Sequence, residues 1–470
     1  MKTIYLIGLT GEGKLGHYEH QLGNAAILIP MLKLFREHIP EAQIFTTIQL
    51  TDEFCEKYGV KRLAPPNKYL PRFNNALRLP NTFIYLLRIS LWKFLKHFLH
   101  LDIPILIKGN YLERYANADL VLDFNGDIFP SDTRRVRVLV HALELLCIAQ
   151  LGIPMIEFVS SPGPFNSWFT RIISKLVFNQ FTIFLNREPL SSALLEQIGL
   201  KQVPIVNTAC PAFLLETIEK EQAQKLLSQE SVDVDTKPLI GITLCGYNLN
   251  SLRTWSKPEH FEDLVIYIPM LQYFLDDLHA HVFLLPHVYR TNPYTYSREL
   301  INGPDYDILL NLYNLLDGDK YSSQLKLIKG KYSPSEAKGM IGQCDLFISG
   351  RLHAGVAALS QGVPTIFLAY GHKHRGFASL LHHEKYVHEG KDPDQLLYLV
   401  KDAWENRQKI SYTLHQRMVR VEELVNLNFE IIEEILDMNQ TGDFRLPEER
   451  VKIWMMKGVQ TPRRASKITC

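Results

Sequence analysis

The chain has 470 residues, past the size at which a single hydrophobic core keeps growing, so two domains are expected. With 46% hydrophobic and 21% charged residues it has the composition of a globular protein. Its formal net charge of +1 excludes the broad basic footprint of a nucleic-acid binder, so any anion site has to be built locally. The six cysteines (Cys55, Cys147, Cys210, Cys245, Cys344, Cys470) contain no CxxC pair, which indicates neither a disulfide framework nor a zinc ribbon and predicts reduced thiols in a cytoplasmic setting.

The N-terminal MKTIYLIGLTGEGKLG reads as a first strand; its apolar core is too short for a secretory signal. Strand candidates follow at 3–9, 43–48, 119–124, 154–159, 181–185 and 203–206, with helical patterns between them. A polar stretch, 216–237, reads as a linker. The alternation restarts with strand candidates at 238–244, 281–285, 325–328, 345–348 and 364–369. Ser333, Pro334 and Glu336 form a capping box with proline at the first helical position, which starts a helix at 334. A long periodic helix covers 410–437, and a basic stretch without sustained period, 441–470, reads as a tail.

Repeated strand and helix in this order predicts an α/β chain of two Rossmann-like doubly wound domains facing a cleft. The expected division is a Rossmann-like domain 1–215, linker 216–237, a second Rossmann-like domain 238–409, helix 410–440 and tail 441–470. No apolar run approaches the ~18 residues of a spanning helix. Residues 87–101, LRISLWKFLKHFLHL, set Arg88, Lys93, Lys96, His97 and His100 against Leu91, Phe94, Leu95, Phe98 and Leu99. That pattern is read first as a helix covering the first sheet, with a helix lying on a membrane surface as the alternative; the basic tail is a second candidate for peripheral contact with the inner membrane face.

The densest chemistry lies at 350–377, GRLHAGVAALSQGVPTIFLAYGHKHRGF. A strand ending at Ser349 and a turn at Gly350 put Arg351 and His353 at a helix N-terminus, whose unpaired N–H groups and positive dipole end favour an anion. An Arg fork suits carboxylate or phosphate, and a histidine beside a bound phosphate is suited to donate a proton. Tyr370, Lys373 and His374, in a loop after the next strand, emerge at the same sheet edge, since parallel strands point the same way. His287, in LLPHVYR, closes another strand of that sheet.

These residues resemble the polysaccharide pyruvyltransferases. The resemblance rests on S-G-R-L-H-A (349–354), G-V-P (362–364) and Y-x-x-K-x-x-G (370–376), supported by L-G-N-A-A-I-L (22–28), D-L-V-L-D-F-N-G-D (119–127) and N-R-E-P-L-S (186–191). It implies a GT-B-like fold and transfer of a pyruvyl group from phosphoenolpyruvate to a saccharide of the cell envelope or an exopolysaccharide, as a cyclic ketal, with no cofactor. It further implies Arg351 and Lys373 on the donor anion, aided by Gly350, Tyr370, His374, Arg187 and His287, with His353 as proton donor and Asp127 at the acceptor hydroxyl. Two departures touch the acceptor side: Phe124-Asn125-Gly126-Asp127 replaces a run of glycines, and Cys210 stands where Asp-Pro-Ala-Phe is usual.

Two other readings fit the same pattern. One is a nucleotide-sugar glycosyltransferase of the same fold, which would use a carboxylate such as Glu384 or Glu389 on a ribose; the other is a glycan-binding relative without catalysis.

Overall fold

The computed structural model describes residues 2–8, 18–63, 75–107, 115–124, 129, 135–235, 238–249, 258–291, 300–439 and 446–461. Their contacts group into two units. The first holds strands β1 (Thr3–Gly8), β2 (Gln43–Thr46), β3 (Val60–Arg62), β4 (Leu120–Phe124), β5 (Met155–Ser160), β6 (Ile183–Asn186) and β7 (Ile205–Asn207) in one parallel sheet, ordered β3-β2-β1-β4-β5-β6-β7. Every residue of β4, β5 and β6 is buried. That accounts for their continuous apolar runs, because helices cover both faces of such a sheet.

The connecting helices of this part are α1 (Leu22–His38), α2 (Asp52–Tyr58), α3 (Asn75–Phe98), α4 (Arg135–Gln150), α5 (Trp168–Phe178) and α6 (Pro189–Gln197). Local signals set several of their ends. Thr51 accepts from Phe54 N–H at the start of α2, and Gly59 ends it in the left-handed conformation (φ 63°). The Glu188 carboxylate caps α6 ahead of Pro189.

The second unit repeats the design. Its sheet contains β8 (Leu239–Thr243), β9 (His281–Leu284), β12 (Leu325–Leu327), β13 (Leu346–Ser349), β14 (Thr365–Ala369) and β15 (Val387–Glu389), ordered β12-β9-β8-β13-β14-β15; β10 (Tyr289–Thr291) and β11 (Leu300–Asn302) form a separate antiparallel pair. Counted along the chain, both sheets run 3-2-1-4-5-6, the first with a seventh strand beyond, and the order reverses between β1 and β4 and between β8 and β13. Ligands of doubly wound sheets sit at that reversal, outside the carboxyl ends of the strands. Helices α7 (Lys220–Gln229), α8 (Ile268–Gln272), α9 (Pro304–Leu315), α10 (Pro334–Ile341), α11 (Leu352–Leu359), α12 (His372–Leu380) and α13 (Pro393–Glu405) complete the unit, and α14 (Arg407–Asn439) and α15 (Glu448–Lys457) follow. The capping box at Ser333 is present in full, with Ser333 Oγ accepting from Glu336 N–H and the Glu336 carboxylate accepting from Ser333 N–H.

The units do not follow the expected boundaries. The first comprises 1–13, 32–210 and 424–469, and the second 14–31 and 211–423, so the divisions fall inside α1 and α14. Leu22, at the start of α1, is buried with Tyr289 and Ala337, and Gln21 bridges Val288. At the far end of α14, Phe429 packs edge-on against Phe35 and Phe158 of the first sheet's helical layer and strand β5. The expected linker contains α7, whose Ala223 and Leu227 are buried, and Leu227 and Val232 join the core of the second unit. Residues of the expected tail form α15, because Trp454 is buried and Asn207 of β7 bonds the backbone of Val459.

Candidate functional site

Arg351 immediately precedes α11, at the carboxyl end of β13 and beside the reversal of strand order. The turn there is tight: a Cβ on Gly350 would lie 2.2 Å from Asn248 Oδ1 and 2.8 Å from Thr243 O, which glycine alone avoids. Asn248, after β8, stitches the loops together. It accepts from Cys245 N–H (2.9 Å) and donates to Leu368 O (2.9 Å), while the Cys245 thiol lies 3.0 Å from Gly350 O.

The Arg351 guanidinium does not present its whole fork to a ligand. Its Nε (3.0 Å) and Nη2 (2.5 Å) donate to the two oxygens of Asp305, in the first turn of α9 and wholly buried. Burial opposes the charge on Arg351, but the Asp305 carboxylate outweighs it and holds the guanidinium more firmly protonated than usual. Asp305 also accepts from the backbone N–H of His287 (3.3 Å), which fixes the end of β9 beside the pair. An anion entering here meets Nη1 of an arginine already oriented and charge-balanced, in place of the bidentate clamp expected from the sequence.

His287 is buried, and among the described residues neither ring nitrogen has a hydrogen-bond partner. Burial and then the neighbouring Arg351 charge push its pKa down to about 3, so the ring is neutral. His353 lies in the first turn of α11, edge-on to Phe377 of α12 at 6.2 Å between centroids. Gly23 also adjoins it: a Cβ there would come within 2.9 Å of Nδ1, so the glycine of L-G-N lets the start of α1 approach the imidazole.

The YGHKHRG segment is not a loop. Gly371 ends the turn and His372 begins α12, so Lys373 and His374 occupy its first helical turn and add a second helix N-terminus to the same edge of the sheet. Tyr370 organises this corner: it stacks on Tyr247 (4.7 Å, 21°), meets His374 edge-on (4.4 Å), and carries the Lys373 ammonium 5.4 Å above its ring. His374 is wholly buried and its Nδ1 lies 3.2 Å from Gly371 O. Chain segments after β8, β9, β13 and β14 thus bring Arg351, His287, His353 and Tyr370 with Lys373 to one end of the second sheet. Arg375 and Glu389 pair on the surface at 2.8 Å, which occupies one of the two carboxylates considered for a ribose.

Arg187 belongs to the first unit, at the end of β6, where it is buried and donates from Nε to Ser161 Oγ (2.8 Å). Asp127 lies outside the described residues. Near Arg187 the first sheet carries a buried polar group that the sequence pattern does not announce. Asp123 and Glu157 face each other across β4 and β5, and His141 of α4 bonds Asp123 at 2.9 Å. Burial and then the Asp123 charge hold the Glu157 carboxyl well above the usual range, while the Asp123 charge, outweighing burial, raises His141. In the second unit the missed residues are Asp305, Asn248 and Tyr247. Asp305 follows Gly303-Pro304, a legible helix start, yet no local signal ties it to an arginine 46 positions away.

Two consecutive sheets of this order, with a cationic site at the strand-order reversal of the second, define an α/β protein of the GT-B kind. Solved structures agree on the fold. Anabaena HepE in complex with UDP and glucose matches with a TM-score of 0.51 over 92% of this chain and 99% of that one, at 12% identity. The UDP-GlcNAc 2-epimerase of Neisseria meningitidis bound to UDP-GlcNAc matches at 0.51 (88% and 94% covered, 14% identity), and a glycosyltransferase from Rickettsia africae at 0.53 (94% and 100% covered, 9% identity). No protein of curated function matches the chain. The family model for polysaccharide pyruvyl transferase matches residues 22–372, and the chain belongs to that family.

Proposed function

We propose that the chain transfers the pyruvyl group of phosphoenolpyruvate to a saccharide of the cell envelope or an exopolysaccharide, closing a cyclic ketal. Family membership supports transfer to a polysaccharide. The observation that carries the finer reading is the pre-oriented Arg351–Asp305 pair at the N-terminus of α11, with His353 in the same turn and Lys373 opening the neighbouring α12. Phosphoenolpyruvate brings a carboxylate and a phosphate close together. Arg351 Nη1, the N–H groups opening α11 and α12, Lys373 and the neutral ring of His287 are a donor set suited to both.

In this reading His353 delivers a proton to the methylene carbon as C2 gains positive character, and an acceptor hydroxyl adds its oxygen to C2 while losing its proton. The C2–O bond to phosphate then breaks with its electron pair, releasing inorganic phosphate. A second hydroxyl adds to the resulting oxocarbenium and loses its proton, completing the ketal.

Calorimetric titration with phosphoenolpyruvate and with UDP-sugars, combined with phosphate release in the presence of envelope glycan, tests the proposal. Phosphoenolpyruvate is expected to bind, with glycan-dependent phosphate release. His353→Ala should bind the donor as tightly as the native chain and release phosphate at least about a hundredfold more slowly, whereas Lys373→Met should weaken donor binding. Binding of UDP-sugars but not of phosphoenolpyruvate would transfer the site to the nucleotide-sugar reading; native rates in His353→Ala would remove the proton donor.

A further inference from the structure

Helix α3 of the first unit carries two apolar faces. Thr82 and Ile89 are buried, and Tyr85 and Leu86 pack on the core formed with α4 and α5. Opposite them, Phe83, Ile84, Leu87, Leu91, Phe94 and Phe98 are all exposed, between 48% (Leu91) and 71% (Phe98). At 100° per residue these six positions fall within an arc of about 100°, a full amphipathic stripe aimed away from the protein. The stripe expected to cover the sheet therefore points outward.

A second stripe lies on α5, in the same helical layer: α3 packs on α4, and α4 on α5. Trp168, Ile172 and Leu176, at i, i+4 and i+8, are exposed, Trp168 at 69%. Scattered exposed leucines need no explanation, but nine large apolar side chains in two rows on one helical layer are more than a monomer surface ordinarily shows.

Charge identifies the occupant. Neither Asn75–Phe98 nor Trp168–Phe178 contains an aspartate or glutamate. Arg88 borders the α3 stripe on one side and His97 and Lys93 lie on the other, while Arg171 and Lys175 run beside the α5 stripe. A second copy of the chain seated on this face would set these cations against their own equivalents, because a two-fold interface pairs a patch with itself. A layer with an apolar interior and an anionic surface complements both features. We propose that the outward faces of α3 and α5 seat the first unit on a bilayer containing anionic phospholipid, with the aromatic and aliphatic side chains entering the headgroup boundary.

The test is sedimentation of the full chain with phosphatidylcholine vesicles containing phosphatidylglycerol, against vesicles of phosphatidylcholine alone. The native chain should sediment with the anionic vesicles, less with the neutral ones, and less again at raised salt. Leu91→Glu combined with Phe94→Glu should lower the partition coefficient by about tenfold or more, with the thermal unfolding midpoint unchanged because both side chains already face solvent. Should that variant fold poorly, Trp168 supplies a second readout: its emission, taken as the difference between the native chain and Trp168→Phe, should shift to the blue on adding anionic vesicles. A native chain left in the supernatant, or an unmoved Trp168 emission, overturns the proposal. So does a dimer in sedimentation velocity that the double variant dissociates, which would assign the face to self-association.

Discussion

At Arg351 the decisive contact is with a carboxylate of the protein itself. Removing one partner of a buried, hydrogen-bonded ion pair leaves an unpaired charge and typically costs about 3–5 kcal/mol, so Asp305 fixes both the position and the charge of the arginine. His353 is positioned by a neighbour with no side chain at all. A methyl group on Gly23 would press on Nδ1 at 2.9 Å, and the imidazole is the softer of the two partners. Gly23→Ala should therefore leave stability unchanged or slightly raised, by less than about 1 kcal/mol, since alanine is the better helix former. Under the proposed function it should slow phosphate release by roughly tenfold to a hundredfold, through displacement of the imidazole proposed as proton donor. A melt and a phosphate-release assay on the same preparation check both halves; native rates would show that the ring position is immaterial.

At the scale of elements, the site is a set of strand ends whose exits are forced close together. Gly350 is a point of close approach, and the groups a Cβ would meet there include Thr243 O and Leu244 Cα at 2.8 and 2.9 Å, backbone that cannot swing aside. Gly350→Ala is expected to destabilise the second unit by about 2–3 kcal/mol, as overpacking does in tight interiors. Urea unfolding would register this as a lower midpoint with unchanged slope. The two helix N-termini opening at Leu352 and His372 follow from this arrangement, because each begins directly after a strand turn on the same sheet edge.

For the molecule as a whole, buried histidines make the second unit sensitive to acid. His287 and His383 have folded pKa values pushed down to about 3 and about 4, both by burial first; Arg351 adds to the shift at His287, while the Thr365 carbonyl opposes it at His383. The ordinary histidine value is near 6.5, so between 6.5 and 4 the unfolded chain binds more protons than the folded one. The stability these neutral rings contribute is complete above about pH 6.5 and is lost as the pH falls toward 4, at about 1.4 kcal/mol per pH unit for each histidine. Glu157 in the first unit acts in the opposite sense, since its raised value makes the folded state the better proton binder. The discriminating measurement is consequently a difference of slopes. His383→Gln should reduce the dependence of unfolding free energy on pH between 5 and 6.5 by about one proton relative to the native chain. Parallel slopes would refute the assignment.

Strand runs, helix starts and the Arg-His-Lys cluster were legible in the chain because each depends on neighbours a few residues away. The capping box at Ser333, the apolar runs of β8, β13 and β14, and the glycine turn before Arg351 all state local conformation directly. Short edge strands such as β3 and β15, with three residues each, carry too little pattern to be seen. Other features were settled by the folded chain alone. They include the Asp305 partner of Arg351, the pairing of Asp123 with Glu157, the return of residues 424–469 to the first unit, and the outward turn of the α3 stripe. Each of these joins residues far apart in sequence, or chooses between two apolar faces of one helix. Amino-acid order by itself specifies periodicity and local conformation; which distant group a charge meets, and which face finds a core, is decided only when the sheets assemble.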